Sequence, residues 1–153
     1  MKRRITAAVV SAAAAFVALL PTNAFAGAYS DCPSGGPCVE IYYNSYWGGS
    51  HTAFTSSVSN FASYTFLASG AGKGTSVKNN GASARLLDYP DGGSSNAAIF
   101  FNSGYGGACD FFYGHQEGSF TAAWRLGPTY NNNASFYFTK GGPPSGSNCA
   151  TWR

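Results

Sequence analysis

The stretch VEIYYNSYWGG at residues 39–49 decides the fold, because it recurs 58 positions later as AAIFFNSGYGG at residues 97–107. The isoleucine, the asparagine, the serine and both glycines coincide without a gap, and aromatic residues meet at three more positions. A second match aligns residues 78–83 with residues 130–135. Self-similarity of this length indicates two copies of one supersecondary unit.

Each copy, near residues 38–88 and 96–140, has an apolar side that must be buried. Short runs of β-branched and aromatic residues alternate there with Gly, Asn, Ser and Pro, which favours strands. Alternate residues of a strand share a face, and these are Val39, Ile41 and Tyr43 in the first copy and Ala97, Ile99 and Phe101 in the second. One copy alone would leave this face in water, so we expect an all-β sandwich of two Greek-key motifs.

The turn after the first strand of each copy must fold back tightly. Gly49 and Gly107 suit it, because glycine takes a positive φ without a Cβ penalty. Tyr42 and Phe100 stand seven residues earlier, and we expect their rings to cover the turn. The short hydroxyl side chains of Ser83 and Ser135 can hydrogen-bond backbone groups of the fold-back.

This combination of aromatic residue, glycine and distant serine resembles the motif of the βγ-crystallin superfamily, over about residues 38–140. Within that superfamily the chain is most similar to the secreted bacterial peptidase inhibitors of family I36. The likeness lies in the cysteine pair of residues 32–38, the N-S-x-[WY]-G-G turns, and residues 77–85 and 131–136. The resemblance implies a βγ-crystallin-like fold and inhibition of an extracellular peptidase, with a metallopeptidase as the expected class. No matched motif marks an inhibitory bond.

The first 26 residues have the pattern of a signal peptide. Three basic residues at positions 2–4 precede an apolar run that ends at Leu20, and Ala-Phe-Ala at residues 24–26 suits a signal peptidase. We therefore predict cleavage after Ala26, secretion, and a single folded domain of residues 27–153. A membrane anchor is the alternative, but the run is shorter than the roughly 20 residues that a spanning helix needs.

Charge excludes several kinds of partner. Residues 1–26 hold three of the nine basic residues and none of the six acidic ones, so the remaining chain has equal numbers of each. It contains no basic run that would follow a phosphate backbone or an anionic lipid surface. We expect no nucleic-acid partner, no membrane contact after cleavage, and a monomer.

All four cysteines, Cys32, Cys38, Cys109 and Cys149, lie in the exported part, where an oxidising environment would pair them. Four cysteines allow three connectivities. We favour Cys32 with Cys38 and Cys109 with Cys149, because the five residues between the first two form a turn-rich loop. No zinc-type spacing of Cys and His occurs.

Calcium is the one metal that the resemblance suggests, since some βγ-crystallins bind it with two Asn/Asp, two variable residues, Ser/Thr and a final Ser. The matching residues are Asn79, Asn80, Ser83, Asn131, Asn132 and Ser135. The last position is Ala84 or Phe136 instead of serine, and every Asx position is a neutral asparagine, whereas a hard cation prefers carboxylate oxygen. Turn capping is the other interpretation of these residues. No cofactor is required, and a calcium-stabilised structural or cell-surface protein is the alternative function.

Catalytic groups are scarce. His51 and His115 are the only histidines, and we expect both in solvated loops. Neither belongs to a recognised catalytic motif, so we expect no enzyme. A hydrolase that uses His115 with Glu117 is the third hypothesis.

Inhibition needs an exposed segment on a rigid scaffold. Three glycine-rich or loop-like segments could present one: residues 68–75, 89–95 and 113–118. An aromatic platform for a sugar or a protein partner is also conceivable, but the chain has few leucines, and we expect most of its rings to build the core. The rings considered for a platform are Tyr42, Tyr43, Tyr46, Trp47, Tyr105, Phe111, Phe112, Tyr113 and Trp124.

Overall fold

A computed structural model describes residues 27–87, 95–115 and 119–153 of the chain. The predicted signal peptide lies outside these ranges and stays a prediction. The described part contains nine strands and one 3-10 turn. They are β1 Ala28–Tyr29, β2 Cys38–Tyr42, β3 His51–Phe54, the 3-10 turn Phe61–Ser63, β4 Ser83–Leu87, β5 Asn96–Asn102, β6 Gly106–Phe112, β7 Phe120–Ala123, β8 Ser135–Thr139 and β9 Cys149–Trp152. Within the same ranges, no helix is long and apolar enough to cross a bilayer.

The strands form two sheets, which confirms the predicted βγ-crystallin-like sandwich. One sheet has the order β1-β3-β2-β4-β7 and the other the order β8-β5-β6-β9. All pairs are antiparallel except β6 with β9. Side chains on the facing sides of two such sheets interdigitate to form one core.

The two motifs exchange a segment, which the sequence did not predict. β7 belongs to the second motif but pairs with β4 of the first. In return, Val58 of the first motif bridges Phe136 in β8, through two backbone hydrogen bonds of 2.9 Å. The first sheet therefore contains a strand of the second motif, and a bridge from the first motif reaches β8 at the edge of the second sheet, so backbone pairing joins the two motifs.

The core between the sheets is built largely from rings, as expected. Val39 and Ile41 of β2 and Ala97 and Ile99 of β5 are buried in it, in agreement with the predicted apolar faces. Around them lie closely packed phenylalanines. The ring centroids are 5.3 Å apart for Phe54 and Phe61, 5.5 Å for Phe54 and Phe136, and 5.9 Å for Phe61 and Phe136.

The prediction is wrong for Phe101, which is 44% exposed. The register of β5 against β6 shifts between Phe100 and Asn102. Such an irregularity breaks the alternation of faces along a strand and turns the side chain outward. Tyr43, the matching residue of the first motif, is partly buried and packs against the core.

A smaller apolar cluster covers the outer side of the second sheet. It contains Ala98, Phe100, Cys109 and Phe111, with partly buried Tyr113, Tyr137 and Cys149 around it. Phe100 lies 6.2 Å from the ring of Tyr105 in the following turn and 5.0 Å from that of Tyr137. This places Phe100 against the turn that it was expected to cover.

One disulfide ties the segment before β2 to that strand, and a second ties β9 to β6. Cys32 pairs with Cys38 and Cys109 with Cys149, which is the connectivity that the turn-rich loop favoured. Cys109 and Cys149 are direct partners in the parallel register of β6 and β9, so this bond fixes the last strand. Two disulfides are typical of a protein in an oxidising compartment.

Candidate functional site

The turn after β2 is fixed by one buried serine. The Ser83 hydroxyl donates to the carbonyl oxygen of Asn44 at 2.6 Å and accepts from the backbone N–H of Trp47 at 3.1 Å. Because this serine begins β4, it joins the turn to an interior strand of the first sheet. Its hydroxyl has the hydrogen-bonding role that the sequence suggested.

The second motif repeats the arrangement. The Ser135 hydroxyl donates to the carbonyl oxygen of Asn102 at 2.7 Å and accepts from the N–H of Tyr105 at 3.0 Å. Gly49 and Gly107 have φ of 73° and 80°, the left-handed conformation in which glycine is least strained. At Gly49 a Cβ would also lie only 2.9 Å from a carbonyl oxygen of residue 71. The two turns therefore have the same backbone design.

Their side chains differ, and the first turn carries an exposed aromatic surface. Tyr46 and Trp47 both have a φ of 57°. Tyr46 is 73% exposed, Trp124 60% and Phe120 51%. The Trp47 ring lies 5.9 Å from Phe120 and 6.1 Å from Trp124, and the N–H of Tyr46 donates to the carbonyl of Trp124 at 2.7 Å. We call Tyr46, Trp47, Phe120 and Trp124 the aromatic corner; a shallow cleft of about 160 Å³ lies among three of these rings.

Tyr42 lies over the neighbouring strands. Its ring is 4.8 Å from that of His51 on β3 and 5.6 Å from the Arg85 guanidinium on β4. Its hydroxyl donates to the buried carboxylate of Glu40, which also accepts from Arg85. Burial, together with the Glu40 carboxylate, raises the pKa of Tyr42 above its usual value. Tyr42 therefore helps to satisfy a buried ion pair on the first sheet.

A polar pocket of about 240 Å³ lies where the two motifs meet. We call it the asparagine pocket; its lining residues are Tyr43, Asn44, Ser45, Asn79, Asn80, Ala82, Tyr130 and Asn131. Asn79 and Asn131 are equivalent residues of the two motifs, and both are left-handed, with φ of 63° and 53°. Asparagine tolerates this conformation better than most residues. The structure thus brings together Asn79, Asn80 and Asn131, three of the residues that the sequence singled out.

The pocket is held in shape by Asn133, which the sequence analysis missed. Its buried side-chain oxygen accepts from the N–H of Gly81 at 2.8 Å, and its amide donates to the carbonyl of Val77 at 3.0 Å. The backbone N–H groups of Asn79 and Asn131 donate across the same junction, to the carbonyls of Asn133 and Gly81, at 2.8 Å each. The sequence contained a signal for this contact, since Gly81 of the first copy aligns with Asn133 of the second. Gly81 leaves room for the amide, because a Cβ there would lie 2.9 Å from its oxygen.

One wall of the pocket is an aromatic ring with a cation stacked on it. The Arg125 guanidinium lies 4.2 Å from the centre of the Tyr130 ring. Hydrogen bonds from Ser45 and then Arg125 lower the pKa of the Tyr130 hydroxyl. Arg125 is therefore engaged at the rim of the pocket.

The loop that carries this wall is anchored by a buried carboxylate. Asp110 accepts from the N–H of Gly127 at 2.8 Å, from the N–H and hydroxyl of Thr129 at 3.0 and 2.5 Å, and from the Trp152 indole at 3.0 Å. Four donors satisfy this carboxylate, which compensates for its burial. The loop between β7 and β8 is thus bonded to β6, and the same carboxylate joins β6 to β9.

The described residues fit a calcium ion poorly. The hydroxyls of Ser83 and Ser135 are buried and engaged in the turns. The amides of Asn80 and Asn132 donate to nearby backbone carbonyls, those of Ser76 and Lys78 for the first and Tyr130 for the second. No carboxylate lines the asparagine pocket, and in the ranges that the structure covers no three His, Cys, Asp or Glu residues are grouped for a metal. Calcium prefers several charged oxygens.

The two histidines belong to different sheets: His51 to the first, and His115 to the segment that follows β6 of the second. His51 begins β3, where it is half-buried and its Nε2 lies 3.4 Å from a carboxylate oxygen of Asp31. The expectation of a loop histidine is therefore wrong for His51. His115 is exposed, and its suggested partner Glu117 lies outside the described residues.

One of the three suggested inhibitory segments is folded back. Residue Ala71 accepts from the N–H of Ser50 at 2.8 Å, and a Cβ on Gly72 would overlap the Tyr43 ring at 2.2 Å. Residues 68–75 therefore pack on the first turn, which does not suit an extended docking strand. Of the other two segments, residues 89–94 and 116–118 lie outside the described ranges.

Comparison with known proteins gives one weak likeness. No family model matches the chain, and no curated protein matches it. A solved structure described as "Evolution of the eye lens beta-gamma-crystallin domain fold" is similar at a TM-score of 0.49 and 17% identity, over 72% of this chain and 92% of the other. The two sheets, their strand order and the backbone pairing between the motifs define the fold.

Proposed function

We propose that this protein is a secreted, disulfide-bonded inhibitor of an extracellular peptidase and that it docks through the aromatic corner. The observation that carries the proposal is the exposure of Tyr46, Phe120 and Trp124 around a turn whose backbone is fixed. Tyr and Trp dominate the binding energy of protein interfaces. A fixed turn loses little conformational entropy on binding.

The shape of the corner favours a protein partner. The cleft of about 160 Å³ is lined by rings and is small beside the roughly 300–1,000 Å³ of typical ligand pockets. Rings that project around a shallow cleft suit insertion into a partner's own pocket. A peptidase substrate cleft is such a pocket, and the resemblance to secreted metallopeptidase inhibitors makes that class the first candidate.

The scaffold suits a protein that meets peptidases. Two disulfides and a core shared by both motifs disfavour local unfolding, which is the step that exposes a chain to cleavage. The predicted signal peptide and the disulfides support secretion. Because residues 68–75 are folded back, we propose that inhibition works by steric block of the cleft.

The test is a titration of peptidases with the purified secreted protein. A thermolysin-type metallopeptidase should lose activity stoichiometrically. A panel of serine, cysteine and aspartic peptidases, titrated in the same way, measures the specificity of the inhibition. The double variant Tyr46→Ala/Trp124→Ala should raise the inhibition constant by at least roughly 30-fold, the value for one hot-spot side chain. Tyr105→Ala is the matched control, because this residue occupies the equivalent turn of the second motif and is 37% exposed.

Two results would contradict the proposal. If no peptidase of the panel is inhibited, the function is wrong. If the double variant and the control inhibit equally well, the docking surface lies elsewhere on the molecule.

A further inference from the structure

We propose that the asparagine pocket binds one ring of a neutral saccharide, at a site separate from the aromatic corner. The pocket is lined by four asparagines, one serine, two tyrosines and one alanine, and no Asp, Glu, Lys or Arg residue lines it. Its chemistry is therefore polar without charge.

Neutral amides match the hydrogen-bonding needs of sugar hydroxyls. A carboxamide offers two donors on nitrogen and an acceptor on oxygen, and each sugar hydroxyl is both a donor and an acceptor. Three of the lining residues, Asn44, Asn79 and Asn131, belong to three separate segments, so a ring bound between them has asparagines on different sides. An anionic or cationic ligand would find no opposite charge in the lining.

The tyrosines supply the second element of saccharide recognition. Tyr43 packs edge-on against Phe66 in the core, at 5.6 Å, and Tyr130 is held by the Arg125 guanidinium at 4.2 Å. Fixed amphipathic rings offer an apolar contact together with a polar end. A pyranose has an apolar face of C–H groups, whereas a metal ion or a phosphate has none.

The backbone that carries the asparagines is fixed before any ligand arrives. Asn79 and Asn131 have left-handed backbones, and their N–H groups are bonded across the motif junction at 2.8 Å. Asn44 is fixed through its carbonyl by Ser83 at 2.6 Å. Groups that are already in place lose less entropy on binding, which favours a weakly interacting ligand such as a sugar.

The size of the pocket limits the ligand. A volume of about 240 Å³ lies below the roughly 300–1,000 Å³ of pockets for drug-sized molecules. It suits one sugar ring, with the rest of an oligosaccharide continuing over the surface. We therefore expect modest affinity for a single site and stronger retention on an immobilised polymer, where many copies of the ligand are available.

The experiment uses the full mature protein on an immobilised array of neutral oligosaccharides, built from glucose, mannose, galactose and N-acetylglucosamine, beside the acidic polymers alginate and heparin. Binding is measured in EDTA and again with calcium. At least one neutral class should bind in EDTA, and the acidic polymers should not.

The decisive variant is Asn79→Gly/Asn131→Gly. Glycine keeps the left-handed backbone and removes both amides, so the fold should persist while saccharide binding falls at least tenfold. A second pair is matched by the repeat: Asn44→Ser changes the pocket, whereas Asn102→Ser changes the equivalent residue of the other turn, which does not line it. The first should weaken binding and the second should leave it unchanged, with melting temperatures measured for all variants.

Three outcomes would overturn the inference: no neutral saccharide binds, the double glycine variant binds as well as the wild type, or binding requires calcium. The result is separable from peptidase inhibition. The double glycine variant should still inhibit, and Tyr46→Ala/Trp124→Ala should still bind saccharide.

Discussion

The side-chain oxygen of Asn133 lies 2.8 Å from the backbone nitrogen of Gly81 and accepts its hydrogen bond. The same amide donates to the carbonyl of Val77, so one side chain of the second motif satisfies two backbone groups of the first. Both residues of the first bond are buried. This contact joins the two segments that carry Asn79 and Asn131 to the asparagine pocket, and it links the two motifs outside the paired strands.

Replacement of this amide should be costly. We expect Asn133→Ala to lower the free energy of unfolding by about 3 kcal/mol, because two buried backbone groups lose their partner. Urea denaturation measures the change. The control is Asn132→Ala, an exposed neighbour with one bond to a local carbonyl, and it should cost less than about 1 kcal/mol. Equal losses for the two variants would show that the link between the motifs is not stabilising.

The two turn serines should be equivalent for stability and different for function. Ser83→Ala and Ser135→Ala each remove two hydrogen bonds of the same geometry, so each should cost about 1–3 kcal/mol. Only Ser83 fixes the turn of the aromatic corner. Peptidase titration should therefore show weaker inhibition for Ser83→Ala alone, and an equal loss in both variants would argue for a general effect of instability.

The two disulfides should contribute unequally. Cys109 and Cys149 are 40 residues apart, whereas Cys32 and Cys38 are six apart. Loop-closure entropy then gives about 4 kcal/mol for the first bond and about 2 kcal/mol for the second. Paired Cys→Ser variants, compared by denaturant unfolding, should keep this order. The reverse order would mean that contacts of the first loop, such as the Cys32 N–H with Glu40, outweigh chain entropy.

Stability should fall at alkaline pH through Tyr42. Its pKa is raised in the folded state, whereas the pKa of the unfolded residue lies near the ordinary tyrosine value of 10.0. The folded protein therefore binds this proton more tightly, and its contribution to stability is complete below about pH 10 and is lost as the pH rises further.

We expect Tyr42→Phe to lose less stability than the wild type as the pH rises from about 10 to about 12, although it is less stable at neutral pH by about 1 kcal/mol. Thermal melts across this range provide the measurement, with Tyr29→Phe as the exposed control. Parallel curves for wild type and Tyr42→Phe would locate the alkaline titration in another group.

The sequence by itself determined the features that depend on local pattern. Duplication, alternating strands and the glycines with positive φ follow from neighbouring residues, because side chains alternate along a strand and only glycine avoids a Cβ clash. The serines could be recognised because the repeat shows the same spacing twice. Turn-forming residues between Cys32 and Cys38 likewise favoured the pairing that the structure has. Local patterning failed at Phe101, where a register shift interrupts the alternation.

Only the tertiary structure decided what comes from distant segments. The exchange of β7 and Val58, the assembly of Tyr46 with Trp124, and the position of Asn133 opposite Gly81 join residues dozens of positions apart. Each segment taken alone has several ways to bury its apolar side. The choice among them is made by packing both motifs into one core, a condition that involves the whole chain at once. For this reason the asparagines were visible in the sequence, while the pocket that they share was not.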